Sequence, residues 1–412
     1  MTTALPGDPP VAFDPYEPGF GASPYEQYAR LRAHDPVHWS PLLAGWVLTR
    51  YADAVALLRD PTVSVELDNA TATDVVALQR RRQARSGKPS DTLVLRDDPD
   101  HQRLRKLLQR PFGPRPVEGL RAMVERHVDA ALAGLPAAGT IDVIGEFAYP
   151  LPVTVFNEML GLPGEDAPRV RAWIAAVARL LDPVLDDAEH ARCQQLLDEM
   201  YDYVADQIER KRLAPAGDVL TALVQAEEDG DRLTREELVA QVVTLYVAGH
   251  EPTMALVGNG LLALLRQPDQ LARLQAEPAL VPNAVHELLR YDGPNQFVRR
   301  IAVAPLRLGG RDIAPGDVIY VGVGAANRDP ARWPDPDRVV VDRPDANQHI
   351  QFGSGIHHCL GSHLARLQAE VALGALLARL DAPALAGEPE WSERMVLRSL
   401  QRLDVAYGAA AP

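Results

Sequence analysis

Along most of the chain, apolar residues recur at intervals of three and four, the spacing that gathers them on one stripe of an α-helix. This pattern predicts helices over 25–34, 51–58, 101–110, 119–132, 153–160, 169–181, 189–213, 218–227, 235–265, 282–291 and 360–380. Short β-like runs stand at 45–48, 301–308 and 318–323, with turn signals at Gly309-Gly310 and Pro315-Gly316. The expectation is a mainly α protein: a large helical body beside a small β-sheet region. Residues 1–23 are rich in Pro and Gly without periodicity and read as an extended N-terminal arm on the surface. With no repeat and no Ser- or Gly-rich linker, 24–412 reads as one domain. Residues 62–96 and 325–350 carry turn residues and little helical period, as functional loops inside compact chains do.

Composition narrows the function. The 412 residues are 47% hydrophobic and 24% charged, a globular balance that sets aside disordered and collagen-like readings. A net charge of -14 repels a polyphosphate backbone, so nucleic acid is not an expected partner. The start, MTTALPGDPPVAFDP, has neither a basic nor an apolar signal segment, and no run of 18 apolar residues follows. A soluble, cytoplasmic protein without a membrane partner is expected. The two cysteines, Cys193 and Cys359, lie too far apart for a CxxC pair and are too few for a disulfide framework or a four-cysteine zinc site.

The strongest local signal is Phe352-Gly353-Ser354-Gly355-Ile356-His357-His358-Cys359-Leu360-Gly361, followed by His363 and Leu364-Ala365-Arg366 on an amphipathic helix. Glycines let such a loop turn tightly and press against something flat. Cys359 stands near a helix start, where the dipole and loop amides favour a thiolate, hence a metal ligand or a nucleophile. A buried structural cysteine is the bland alternative. A cysteine protease would need His357 or His358 as partner. Zinc is disfavoured, because His250-Glu251 and His286-Glu287 begin like HExxH but meet Met254 and Arg290 where a second ligand belongs.

This FGxGxHxCxG run followed by LAR resembles the haem-binding loop of the cytochrome P450 family. The resemblance implies the P450 fold, with haem b between the long I helix and the helix after the cysteine loop, and Cys359 as axial thiolate to iron. Phe352, Gly353 and Gly361 belong to that cofactor-binding loop, and His357 matches a position that meets a propionate. Three further motifs match in the family's order. Glu287 and Arg290 form ExxR, a structural pair that ties to a meander arginine, here Arg338 or Arg343 in PDPDRVVVDRP. His101 and Arg105 share a helix face and, with Arg300, match propionate ligands. The chain from Tyr25 to Val405 follows the pattern.

Ala248-Gly249-His250-Glu251-Pro252-Thr253 resembles the oxygen-binding stretch of the I helix, with Ala248 and Gly249 against the haem. It departs from A-G-x-acid-Thr: Pro252 takes the alcohol's place and Thr253 falls one position late, rotated by about 100°. Proline deletes the helix bond to the Ala248 carbonyl. Proton supply for O–O cleavage is therefore assigned to Glu251, His250, ordered water or a substrate hydroxyl, with Pro252 and Thr253 as its neighbours. The resemblance also implies pocket residues: Val243 and Val247 beside Ala248, then Asn295, Gln296 and Phe297, and Met395, Val396 and Leu397.

The function so implied is a ferredoxin-dependent monooxygenase that uses O2 to hydroxylate or epoxidise a largely hydrophobic natural product of polyketide, terpenoid or cyclic peptide type. The alternatives are oxidative C–C or C–N coupling, peroxide-driven oxidation with a substrate-assisted relay, or a non-catalytic haem-binding partner protein. Electrons would come from a ferredoxin or flavodoxin served by an NAD(P)H-dependent reductase, docking on Arg103, Lys106, Arg110 and Arg366. A monomer is expected.

Overall fold

A computed structural model describes residues 13–85, 92–182, 185–228 and 230–408. Fifteen α-helices are found among them. The first six are α1 (Tyr25–His34), α2 (Tyr51–Arg59), α3 (Asp74–Arg85), α4 (Asp100–Leu108), α5 (Pro114–Glu118) and α6 (Arg121–Leu132). The middle of the chain gives α7 (Pro150–Leu160), α8 (Ala167–Arg179), α9 (Asp187–Leu213), α10 (Val219–Val224) and α11 (Arg235–Leu265). Last come α12 (Pro268–Ala276), α13 (Val281–Asp292), α14 (Val323–Ala326) and α15 (Ser362–Arg379). The stripe pattern placed α1 and α11 at their observed bounds and missed α3 and α12. Four arginines among twelve residues dilute the apolar period of α3, and α12 shows only two buried leucines, Leu271 and Leu274.

A five-stranded sheet stands beside the helices, in the order 37–40, 45–48, 318–322, 297–302, 63–64. The run anticipated over 301–308 is split by a turn into Phe297–Ala302, a strand of this sheet, and Leu306–Leu308, which pairs with Arg311–Ile313 in a separate hairpin. Residues 1–12 of the anticipated arm and 86–91 of the anticipated loop lie outside the described residues. From Phe13 the arm is a series of turns, not an extended strand, and Phe13 and Phe20 are buried against Phe297 and Tyr28.

Two features of this frame position the site. Helix α11 starts with a capping box: the Thr234 hydroxyl accepts from the Glu237 amide while the Glu237 carboxylate accepts from the Thr234 amide. Glu237 also pairs with Arg103, so α4 is tied to the start of α11. Beneath the cysteine loop, Glu287 and Arg290 of α13 are fully buried. Arg290 donates to both Glu287 oxygens (2.7 and 2.9 Å), and Arg343 reaches the same carboxylate at 3.0 Å. Arg290 further donates to the Asn327, Pro336 and Arg338 carbonyls, so two buried cations are satisfied together with one anion. Arg343 is the meander partner; the Arg338 side chain pairs instead with Asp269 at the surface.

Candidate active site

Helix α11 marks where the cavity lies. Between Leu238 and Leu264 every residue is buried except Thr244, Leu245, Ala248, Gly249 and Pro252. These five recur at three and four, so they form one stripe. Thr244, Ala248 and Pro252 are the open positions of this stripe; Gly249 is closed off by the Phe156 ring, which leaves no room for a Cβ, and Leu245 also touches the main apolar cluster. Val243 and Val247, anticipated as pocket residues, are buried in the main apolar cluster, while Thr244 stands on the open stripe. Counting in steps of four from Ala248 would have found Thr244 and Pro252.

The cysteine loop supplies the opposite wall. Gly353 and Gly355 adopt φ of 72° and 74°, and a Cβ on Gly355 would sit 2.4 Å from the Leu58 carbonyl oxygen. The Cys359 amide donates to the Phe352 carbonyl at 2.8 Å, closing the loop. Helix α15 begins only at Ser362, so the dipole support anticipated at Cys359 is reduced to single amides. Burial pushes the thiol above its ordinary range, and the Gly361 amide and the Arg105 charge oppose this. Cys359 nevertheless keeps open surface.

Four donors gather at one edge. The rings of His101 and His357 lie 4.4 Å apart, and the charges of Arg300 and Arg105 act on His357. Arg105 donates to the Ile356 and His358 carbonyls (3.1 and 2.9 Å), and Arg300 is buried with one bond, to the Arg299 carbonyl. Burial lowers the Arg300 pKa to about 10. Neither arginine forms an ion pair among the described residues, and Nε2 of both His101 and His357 is buried without a partner. Unpartnered buried donors call for an anionic partner. Two carboxylates on a flat apolar ring, seated between Ala248 and Cys359, meet these requirements. The residues present fit haem.

The other anticipated residues fall into three groups. Glu251 is buried at the margin of the stripe and accepts a charged hydrogen bond from Arg394 at 3.1 Å. Burial raises its pKa, and Arg394 opposes the rise. Thr253 and His250 are turned away from the cavity. Thr253 donates back to the Gly249 carbonyl at 2.8 Å, and His250 packs on Tyr149 on the opposite face of α11. Both placements follow from helix rotation, the one expected for Thr253 and the one not foreseen for His250, because each residue lies more than 100° from the stripe centre at about 100° per step.

Asn295 and Gln296 are not free polar handles either. Asn295 exchanges bonds with Gln351, and Gln296 spans the Gly293 carbonyl and the Tyr28 hydroxyl. Phe297 and Met395 are buried in the apolar cluster under the sheet. Val396 is half-buried, its amide donating to Asp182. Arg394, Tyr149 and Gln241, which accepts from the Leu93 amide at 2.9 Å, escaped notice because contacts between distant segments leave no periodic trace.

Buried neutral histidines give the site a pH signature. Burial lowers His250 to about 3 and His286 to about 4, below the unfolded value of about 6.5. Each binds its proton in the unfolded chain first, so stability falls as pH drops below about 6.5. The loss expected at pH 5 is about 2 kcal/mol for His250. Urea unfolding of wild type and His250→Phe at pH 7 and pH 5 measures it, and the variant should lose less between the two.

A helical body that holds an open cysteine loop and four convergent donors fits a haem-thiolate protein. Comparison with known proteins carries this to a family. The Cytochrome P450 family model matches residues 164–397. The chain is 40% identical to Cytochrome P450 monooxygenase PikC of Streptomyces venezuelae, over 94% of this chain and 92% of that one. It is 39% identical to Vitamin D(3) 25-hydroxylase of Pseudonocardia autotrophica, over 94% and 95%. The solved structure of the bacillaene polyketide synthase cytochrome P450 PksS of Bacillus subtilis 168 superposes with a TM-score of 0.88 at 34% identity, covering 97% of this chain and all of that one. The chain belongs to the cytochrome P450 family. It is therefore an oxidoreductase of the monooxygenase type, and its family's cofactor is haem held by a cysteine thiolate. No helix among the described residues is long and apolar enough to cross a membrane.

Proposed function

We propose that Cys359 is the axial ligand, that His101, Arg105, Arg300 and His357 hold the propionates, and that the enzyme hydroxylates or epoxidises a largely hydrophobic natural product. The observation that carries this is an open Cys359 together with the half-open stripe of Thr244, Leu245, Ala248 and Pro252 on an otherwise buried helix. When bound, haem supplies the activation of O2. The chain supplies the rest: Leu245, Ala248 and Pro252 present an apolar wall to the substrate, Thr244 one hydroxyl, and Glu251 a carboxylate beside the wall. An apolar site with few polar groups suits a polyketide or terpenoid skeleton. Relatives support that class, since two bear the names of a polyketide-synthase P450 and a vitamin D(3) hydroxylase.

Pro252 favours a second reading. It lies on the open stripe, where the family's alcohol would stand, and leaves the Ala248 carbonyl without its helix donor. A substrate hydroxyl bonding there would complete the proton relay, and coupling or ring closure would then compete with oxygen insertion. Pro252→Thr places a hydroxyl on the stripe. The expected result is a larger share of NAD(P)H electrons recovered in product; an unchanged or smaller share favours the substrate-assisted reading.

Electrons are assigned to a ferredoxin or flavodoxin with its reductase. Lys106 and Arg110 are exposed on the cysteine side, Arg105 faces the loop, and Arg366 lies against His286 and His363. Arg103 leaves the docking set, being ion-paired with Glu237 and Asp231. A carrier-bound substrate is a further option, supported by a structural neighbour solved with an acyl carrier protein. We assign the working form as a monomer of one catalytic domain in the cytoplasm.

A further inference from the structure

A carboxylate, that of Asp98, stands beside the four donors of the cofactor edge. Its Oδ1 lies 3.4 Å from Nδ1 of His101, while Nε2 of the same ring is buried without a partner among the described residues. The segment that carries both groups is fixed in place. Asp97 accepts from the Ser64 hydroxyl and the Val65 amide, its own amide donates to Glu66, and its carbonyl accepts from the His101 amide at 2.9 Å. Asp97 is thereby committed to the neighbouring strand, and Asp98 is the carboxylate left for the imidazole. The His101 side chain is 2% exposed and that of Asp98 52%. Asp98 lines an open cleft together with Gln102, Arg105, Lys106 and Ile356, so solvent reaches it.

Counting hydrogens gives the state of the ring. A neutral imidazole has one N–H and one lone pair. With the hydrogen on Nδ1, directed at Asp98, the lone pair of Nε2 faces the place assigned to a propionate. With the hydrogen on Nε2, the lone pair faces Asp98. Either tautomer sets a lone pair against a carboxylate, whereas an imidazolium donates a charge-assisted bond to each. Protein groups alone hold the ring neutral: burial lowers the His101 pKa and Arg105 adds to this, against Asp98 and Asp97. His357, with its ring 4.4 Å away, and Arg300 beyond it also face this edge. A second carboxylate at Nε2 turns the balance toward the charged ring. We propose that Asp98 is a positioning residue for the cofactor, holding His101 as an imidazolium between two carboxylates, so that each haem is bound with one proton taken from solvent. The inference rests on the reading of His101 as a propionate holder. It fixes a direction for pH: a group whose pKa rises on binding lends its hold below that pKa and loses it above, so the grip on haem weakens toward alkaline pH.

The test follows haem transfer from the loaded protein to excess apomyoglobin over a pH series. Wild type should lose haem faster as the pH rises through one titration. Asp98→Asn keeps an acceptor for the Nδ1 hydrogen and removes the charge, so the titration should move to lower pH. Within it the variant should lose haem about two- to fivefold faster than wild type, the effect of removing a half-exposed ion pair. In a His101→Gln background the same change should alter nothing, because Asp98 acts through the imidazole. Identical profiles for wild type and Asp98→Asn overturn the proposal, and so does an equal shift in the His101→Gln background. Wild-type haem retention by His101→Gln at every pH would instead overturn the reading of His101 as a propionate holder, which keeps the two failures distinct.

Discussion

Glu287→Ala is expected to lower folding stability by about 3–5 kcal/mol, because it strands two buried guanidinium groups without an anion. The Glu287 carboxylate takes bonds from Arg290, from Arg343 and from the Val340 amide at 2.9 Å. No water can reach Arg290 to compensate, since the pair is fully buried. Set against a typical total of 5–15 kcal/mol, the loss is a large fraction. The meander from Pro334 to Arg343 hangs on these bonds, and Arg290 also holds the Asn327 carbonyl. Asn327 in turn accepts from the Ile350 amide at the base of the cysteine loop. The variant should therefore unfold at lower urea and retain little haem. A variant with wild-type unfolding and haem content would show that the network does not support the loop.

Glu251→Gln is expected to slow product formation by about a hundredfold while substrate affinity stays near wild type, as loss of a positioned acid-base group does. Its carboxylate is buried at the edge of the open stripe and pairs with Arg394, which stands before the strand Leu400–Arg402. Burial holds its pKa above the ordinary range and Arg394 restrains the rise. The sign of a second variant follows. Without that cation, Arg394→Gln lets the pKa climb further, so the carboxylate is lost at a higher pH on acidification. The acid limb of the rate profile should move to higher pH. Equal rates for wild type and Glu251→Gln would remove Glu251 from the proton path.

How far the chain could be read in advance depended on the range of the interaction involved. Periodicity is local, and it placed α11 from Arg235 to Leu265 and, within two residues, α15. The cysteine loop was legible because three special needs coincide in ten residues: glycines at positive φ, a thiol, and a basic group beside it. The donors His101, Arg105, Arg300 and His357 became a set only through resemblance, since over 250 positions separate the first from the last. Where reading failed, rotation or pairing decided. Val243 and Val247 differ from Thr244 and Ala248 by a single step around the helix, enough to exchange core for open stripe. Asn295 and Gln296 read as free amides until Gln351 and Tyr28 are seen to engage them. Arg394 had no signal at all, its partner lying 143 positions away.

The central claim is that Cys359 ligates haem iron as a thiolate. It is tested by the absorption spectrum of the reduced, carbon monoxide-bound protein, recorded for wild type and for Cys359→Ser. The account predicts the long-wavelength Soret band of a thiolate-ligated ferrous haem in the wild type and its loss in the variant. A folded wild-type protein that takes up no haem, or shows the band of a histidine-ligated haem, would contradict it.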